Sequence, residues 1–300
     1  QMLFTQELRR NVAHFQQGEA FEISPDVLTA LAHVLENYEQ DIELATLILT
    51  LPKDIEFAES FKTIDPDGIA AAREFMLVQI AEYLKEDLLR IYTHIRLEDY
   101  QVTQKDIALR AMRNLCLSYL AYTNLGNNVV QKHYNNANNM TDTLAALNMA
   151  TKAALPCRDT LLVDFEQKWQ HDGLVMDKWF ALQATRPDEN VLEIVQALMD
   201  HPSFNFNNPN RLRSLVGSFA NHNLKAFHHI SGSGYRFLTD VLIRLNETNP
   251  QVAARLIEPL IRFSRFDAQR QTLMKRALER LSAVEDLSKD LFEKIEKALQ

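Results

Sequence analysis

Residues 77–95 read LVQIAEYLKEDLLRIYTHI, and Leu77, Ile80, Leu84, Leu88, Ile91 and Ile95 recur three or four positions apart. At about 3.6 residues per turn this spacing gathers the apolar side chains on one helix face, and Glu86 and Arg90 then form an i,i+4 pair on the outer face. The pattern predicts an amphipathic helix that buries one stripe. The same period runs through most of the chain and closes it with Leu291, Ile295 and Leu299, where Glu293 stands four residues before Lys297. β-Branched alternation is almost absent and there are only seven glycines, so the chain reads as all-α.

The stops agree with the stripes. Ser24-Pro25, Asp65-Pro66, Asn208-Pro209 and Asn249-Pro250 each set a capping residue before a proline. The cap side chain can accept an orphan backbone N–H, and proline at the first helical position gives up an N–H that had no partner. Helices of roughly 10–20 residues joined by short loops are expected. No linker or low-complexity run divides them. Successive amphipathic helices without a boundary predict a single α-solenoid over residues 1–300, built of stacked antiparallel pairs in the manner of armadillo or HEAT arrays. The repeats are irregular because no fixed sequence period is present, and a compact irregular bundle satisfies the same pattern.

Composition narrows the function. Net charge is -8 and no block of Lys and Arg gathers, which argues against a nucleic-acid partner, since affinity for phosphate backbones comes from clustered cations. The longest apolar runs, such as Leu44 to Leu51, are too short to span a bilayer. Cys116 and Cys157 make neither a disulfide framework nor a CxxC pair, as expected for a reducing cytoplasm. A chain that opens with Gln1 and enters helical periodicity at once reads as a fragment of a longer polypeptide.

Catalytic constellations are hard to find. The nine histidines include no HExxH and no pair at i,i+4, so no metal site is expected. His228 and His229 are adjacent and read as a polar helix end or loop. Asn135 to Asn139 read as a turn before the helix start at Met140. Ser231-Gly232-Ser233-Gly234 lacks the ending of a phosphate loop and reads as a turn. Cys157 follows Pro156 at a helix start but has no recognisable base beside it, so a buried structural thiol is expected. Trp169 and Trp179 read as core.

One stretch differs. In NPQVAARLIEPLIRFSRFDAQRQ (249–271), Gln251, Arg255, Glu258 and Arg262 share a narrow arc of a helix, opposite Val252, Leu256, Leu260 and Phe263. Gln251 and Arg255 lie one turn apart near a helix N-terminus, where they could receive a carbonyl or carboxylate. A solvated polar face with ion pairs has the same spacing, and spacing leaves both readings open.

Several motifs in order carry a resemblance: NNMTD (138–142), LPCRD (155–159), GLVMDKWF (173–180), NPNRLRSLVGSFANHN (208–223), AFHH (226–229), GSGYRFLTDVL (232–242), the 249–271 stretch and LSKDLFEKIEKAL (287–299). Together they resemble the C-terminal domain of the bacterial aminopeptidase N family, zinc metallopeptidases of the M1 type. The resemblance covers essentially the whole chain. It implies an α-solenoid that closes over an upstream catalytic domain of the same polypeptide, which would hold the zinc; no catalytic residue, metal ligand or cofactor is implied here. It further implies that Gln251 and Arg255 line the cavity and meet peptide substrates beyond the scissile bond, with Arg213 facing the same cavity. A free-standing helical-repeat scaffold that binds protein partners is the alternative.

Overall fold

The computed structural model describes residues 2–97 and 99–300. Among them every regular element is helical, and extended pairing is limited to one isolated parallel bridge between Ile64 and Phe266. The all-α expectation holds. The chain resolves into two compact units: residues 1–57 with 68–165, and residues 58–67 with 166–300.

In the first unit, helix Lys85–His94 packs on Gln104–Leu120, which also meets Ile42–Leu49 and Met140–Lys152, and Gly126–Asn136 packs on Met140–Lys152. The 77–95 stripe is buried from end to end, but it belongs to two helices, Pro66–Tyr83 and Lys85–His94. They meet at Leu84 (φ -95°, ψ 4°), and the ladder continues across it, Leu84 N–H donating to Ile80 O at 3.0 Å and Leu88 N–H to Leu84 O at 2.9 Å. The stripe therefore stays on one buried side although the helix breaks. Arg90 pairs with Asp87 at 2.9 Å rather than with Glu86, the i,i+3 carboxylate being the one its fork reaches.

A buried polar group sits in this unit. Asp142 accepts the side-chain amides of Asn114 at Oδ1 and Asn139 at Oδ2, each at 2.9 Å, and His133 Nε2 lies 3.9 Å from the same Oδ1. His133 Nδ1 is 2.8 Å from the Tyr92 hydroxyl. Cys157 is buried, its N–H donating to Asn127 Oδ1 at 2.9 Å; burial raises both its thiol and that of Cys116, the latter to about 12. Neither forms a disulfide or acts as a ready nucleophile.

The second unit takes in residues 58–67 from early in the chain. Ile64 N–H donates to Arg265 O at 2.7 Å, Arg265 donates to Phe61 O at 2.7 Å, and Glu59 meets Arg262 at 2.7 Å. Arg270, buried on helix Ala268–Ser282, closes the clasp: it reaches Asp67 at 2.5 Å, Asp267 at 2.8 Å and the carbonyl of His228 at 2.6 Å. Asp267 also caps that helix, accepting the N–H groups of Gln269 and Arg270. His228 does end helix Leu224–Phe227 as expected, but it is buried rather than solvated, stacked 4.1 Å from Phe266 with Nδ1 3.0 Å from the Tyr235 hydroxyl. The aromatic neighbours Phe227, Tyr235 and Phe266 draw the ring inward where its exposed neighbour His229 stays out. Trp179 is core as expected, whereas Trp169 is half-buried and stacks on His171.

The turn read over Ser231–Gly234 is shorter than expected: Ser231 and Gly232 turn the chain, and Ser233 and Gly234 already open helix Ser233–Thr248. Gly232 has φ +69°, which favours glycine, and a Cβ on Gly234 would stand 2.3 Å from the Phe227 carbonyl oxygen. Of the proline starts, Asn208 and Asn249 bond the first N–H groups of their helices, but the Ser24 side chain makes no capping bond. Its backbone N–H instead donates to Glu7 Oε2 at 3.3 Å.

Candidate functional site

Gln251 and Arg255 stand on helix Pro250–Leu256, held at its start by Asn249, whose side chain accepts the Val252 N–H at 3.2 Å. Gln251, Arg255, Glu258 and Arg262 are exposed and Leu256, Leu260 and Phe263 buried, so the arc read from spacing is present. The stretch is not one helix, however. It ends at Leu256 and restarts over Glu258–Ile261. Pro259 explains the break: it has no N–H for the Arg255 carbonyl four residues back, and its ring crowds that carbonyl. Arg255 therefore lies in a last helical turn, and the N-terminal dipole that the sequence suggested as its support does not act there.

The opposite wall comes from helix Lys289–Leu299, which packs on Pro250–Leu256. Leu291 and Ile295 anchor it in the core, while Leu299 is 39% exposed and outside the stripe assigned to it. Asp290, Glu293, Lys294 and Lys297 share its other face by their spacing of three, four and seven. With Gln251, Ala254 and Arg255 they line an open cleft of about 520 Å³. That is within the usual size of a small-molecule or short-peptide site, roughly 300–1,000 Å³.

Some of these charges are already committed. Lys294 is bonded to Glu258, and Glu293 is 3.8 Å from Lys289 instead of pairing with Lys297. Gln251, Arg255, Lys297 and Asp290 carry no side-chain hydrogen bond or ion pair among the described residues. The cleft thus keeps two uncommitted cations, an amide and one carboxylate.

Arg213 lies elsewhere. It is exposed, bonded to Asn210, and is not among the residues lining the cleft. It opens a π-helical turn, Arg213–Gly217, in which Ser218 N–H bonds back five residues to the Arg213 carbonyl. Such turns recur at functional sites, and nothing in the composition of RSLVG announces this one. Gly217 is no signal either, since a Cβ there would meet Leu256 Cδ2 at 3.4 Å, an ordinary contact. Arg211, the other arginine of NPNRLR, is buried against Asp177 at 3.3 Å and over the Phe180 ring. Among the described residues no three His, Cys, Asp or Glu side chains come together as a metal site.

A family model described as "Domain of unknown function (DUF3458_C) ARM repeats" matches residues 1–300. The chain belongs to this ARM-repeat family. Membership accords with the helical-repeat architecture that the sequence predicts. Aminopeptidase N of Haemophilus influenzae is 87% identical to this ARM-repeat chain over 300 residues, covering 100% of the chain and 34% of that protein. Aminopeptidase N of Escherichia coli is 50% identical over 301 residues, again 100% of the chain and 35% of that protein. The Caulobacter vibrioides aminopeptidase N is 36% identical over 274 residues, covering 90% and 32%. The ARM-repeat chain therefore spans about a third of the length of the curated relatives it matches, and the part it matches is their C-terminal region. Among solved structures, Legionella pneumophila aminopeptidase A in complex with aspartic acid is similar with a TM-score of 0.88 and 26% identity, covering 99% of this chain and 36% of that one. No helix among the described residues of the ARM-repeat chain is long and apolar enough to cross a membrane.

Proposed function

We propose that this chain is the non-catalytic C-terminal domain of a zinc-dependent aminopeptidase that removes N-terminal residues from peptides. It encloses the active-site cavity of an upstream catalytic domain in the same polypeptide and contacts substrate beyond the scissile bond. Identity of 87% along the whole chain with a protein named aminopeptidase N carries the reading. The uncommitted Gln251 and Arg255, one turn apart on the wall of a cleft, support the substrate contact. Zinc belongs to the catalytic domain in this reading and supplies the Lewis acid for hydrolysis there. The residues of this chain would bind and orient: the Gln251 amide can donate to or accept from a peptide group, and the planar fork of Arg255 suits a carbonyl or carboxylate in a way lysine does not reproduce. Arg213, exposed on its own helix, is a second contact in the same proposal. The reading also makes the protein cytoplasmic. A free-standing scaffold fits less well, because the relatives compared carry this sequence as about a third of a longer chain.

In the full-length enzyme, Arg255→Ala should lower kcat/KM for di- and tripeptides by about 10- to 100-fold, the value of a charge-assisted hydrogen bond lost in the transition state. Aminoacyl-anilides, which have no residue beyond the scissile bond, should change much less. Folding should survive, since Arg255 is exposed and the buried side of its helix is untouched. Equal losses on peptides and anilides would return Gln251 and Arg255 to a solvated polar face.

A further inference from the structure

The second unit holds another cleft, of about 390 Å³, between helices Ser233–Thr248 and Ala268–Ser282. Two contacts fix the register of its walls. Gly232 lies against Leu273, whose Cδ1 would stand 3.3 Å from a Cβ on the glycine, and about two turns later Asp240 meets Arg280 at 2.7 Å. The two helices therefore run in the same direction. Arg236 and Arg276 follow the first contact by four and three residues, so they flank the cleft at the same level, with Arg280 one turn beyond. The sequence holds no block of cations, yet the fold gathers these three guanidinium groups from positions up to 44 apart.

Little offsets their charge. No Asp or Glu lines the cleft. Asp240 is committed to Arg280, and Glu279, three residues from Arg276, makes no ion pair with it. Arg276 has no side-chain hydrogen bond or ion pair among the described residues, and Arg236 donates only to the neutral Ser231 carbonyl, from Nη1 at 2.8 Å. Two cations are thus uncompensated on facing walls. The floor between them is apolar: Leu273 and Ala277 supply carbon, and the Thr239 hydroxyl is spent on the Tyr235 carbonyl at 2.9 Å.

We propose that this cleft binds a phosphomonoester, its phosphate held in the forks of Arg236 and Arg276 and its organic group laid on Leu273 and Ala277. A pair of phosphate oxygens matches the planar guanidinium, and the near-dianion present at neutral pH answers two positive charges. The volume lies within the roughly 300–1,000 Å³ usual for small-molecule sites and exceeds what inorganic phosphate fills, so the floor is left to carbon. The site shares no residue with the cleft at Gln251 and does not depend on the function proposed there.

Isothermal titration calorimetry of the full-length protein with phenyl phosphate, inorganic phosphate and phenol tests the site. Phenyl phosphate should bind saturably with a Kd of about 1 mM or below, and phenol not measurably. Inorganic phosphate should bind about 5-fold more weakly than phenyl phosphate, for want of the buried ring. Arg276→Met should weaken phenyl phosphate by about 10-fold, and Arg236→Met combined with Arg276→Met should abolish saturation. Both arginines are exposed, so the variants should melt with the wild type. Arg276→Lys keeps the charge and loses the fork, and should recover only part of the affinity. No saturable binding to the wild type, phenyl phosphate no tighter than inorganic phosphate, or unchanged affinity in the double variant each overturns the site. Full affinity in Arg276→Lys overturns it too, reducing it to a general positive field.

Discussion

Between pH 6.5 and pH 4 the folded protein should lose about 3 kcal/mol of stability through His228 alone, the linkage value for an imidazole that folding keeps neutral. His228 is held down to about 3, from an ordinary 6.5, first by burial and then by the Arg270 guanidinium. The folded state therefore binds fewer protons than the unfolded chain throughout that window. The contribution is complete above about 6.5, falls as the pH drops, and stops falling below about 3. His133 acts in the same direction, lowered by burial and by Arg113 against the opposing pull of Asp142. A loss of this size is a large part of the roughly 5–15 kcal/mol that a domain has in total. Urea midpoints measured from pH 7 to pH 4 should fall steeply, and His228→Gln should flatten the curve while lowering its plateau. A midpoint that holds steady to pH 4, or the same slope in wild type and variant, would contradict the buried neutral ring.

Arg270→Met should cost about 3 kcal/mol at neutral pH, the low end for breaking a buried ion pair. The low end applies because Asp67 and Asp267 are each 39% exposed and water can take over part of their solvation. The buried carbonyl of His228 would lose its donor outright, which is the larger share of the cost. Asp67→Asn should cost much less, about 1 kcal/mol or under, since its carboxylate is the half-solvated partner. Chemical denaturation of the variants gives the comparison. Equal losses in the two would mean that the Asp67 contact, and not the buried arginine, secures the segment.

The helical class was readable because its determinant is local: Leu77 to Ile95 are buried as their spacing requires. The same locality made Gln251 and Arg255 legible as neighbours on one face. Their opposite wall was not, because Asp290, Glu293, Lys294 and Lys297 show only their own helical period and nothing in it says which helix they will meet. Proline was read for the starts it marks but not at Pro259, where it ends a helix and moves Arg255 into a last turn. His228 was legible as a helix end but its burial was not, since the rings that bury it include Phe266, far along the chain. The π turn at Arg213 has no compositional signal at all.

The clasp over residues 58–67 has a consequence for how the molecule is made. Asp67 and Arg270 are 203 positions apart. At a synthesis rate of about 5–20 residues per second, the earlier segment waits about 10–40 s before its partner has been polymerised. During that time Ile64 has no Arg265 carbonyl to receive its N–H, and Asp67 has no guanidinium. The second unit thus cannot complete the contacts of its earliest-made piece until Arg270 has been translated.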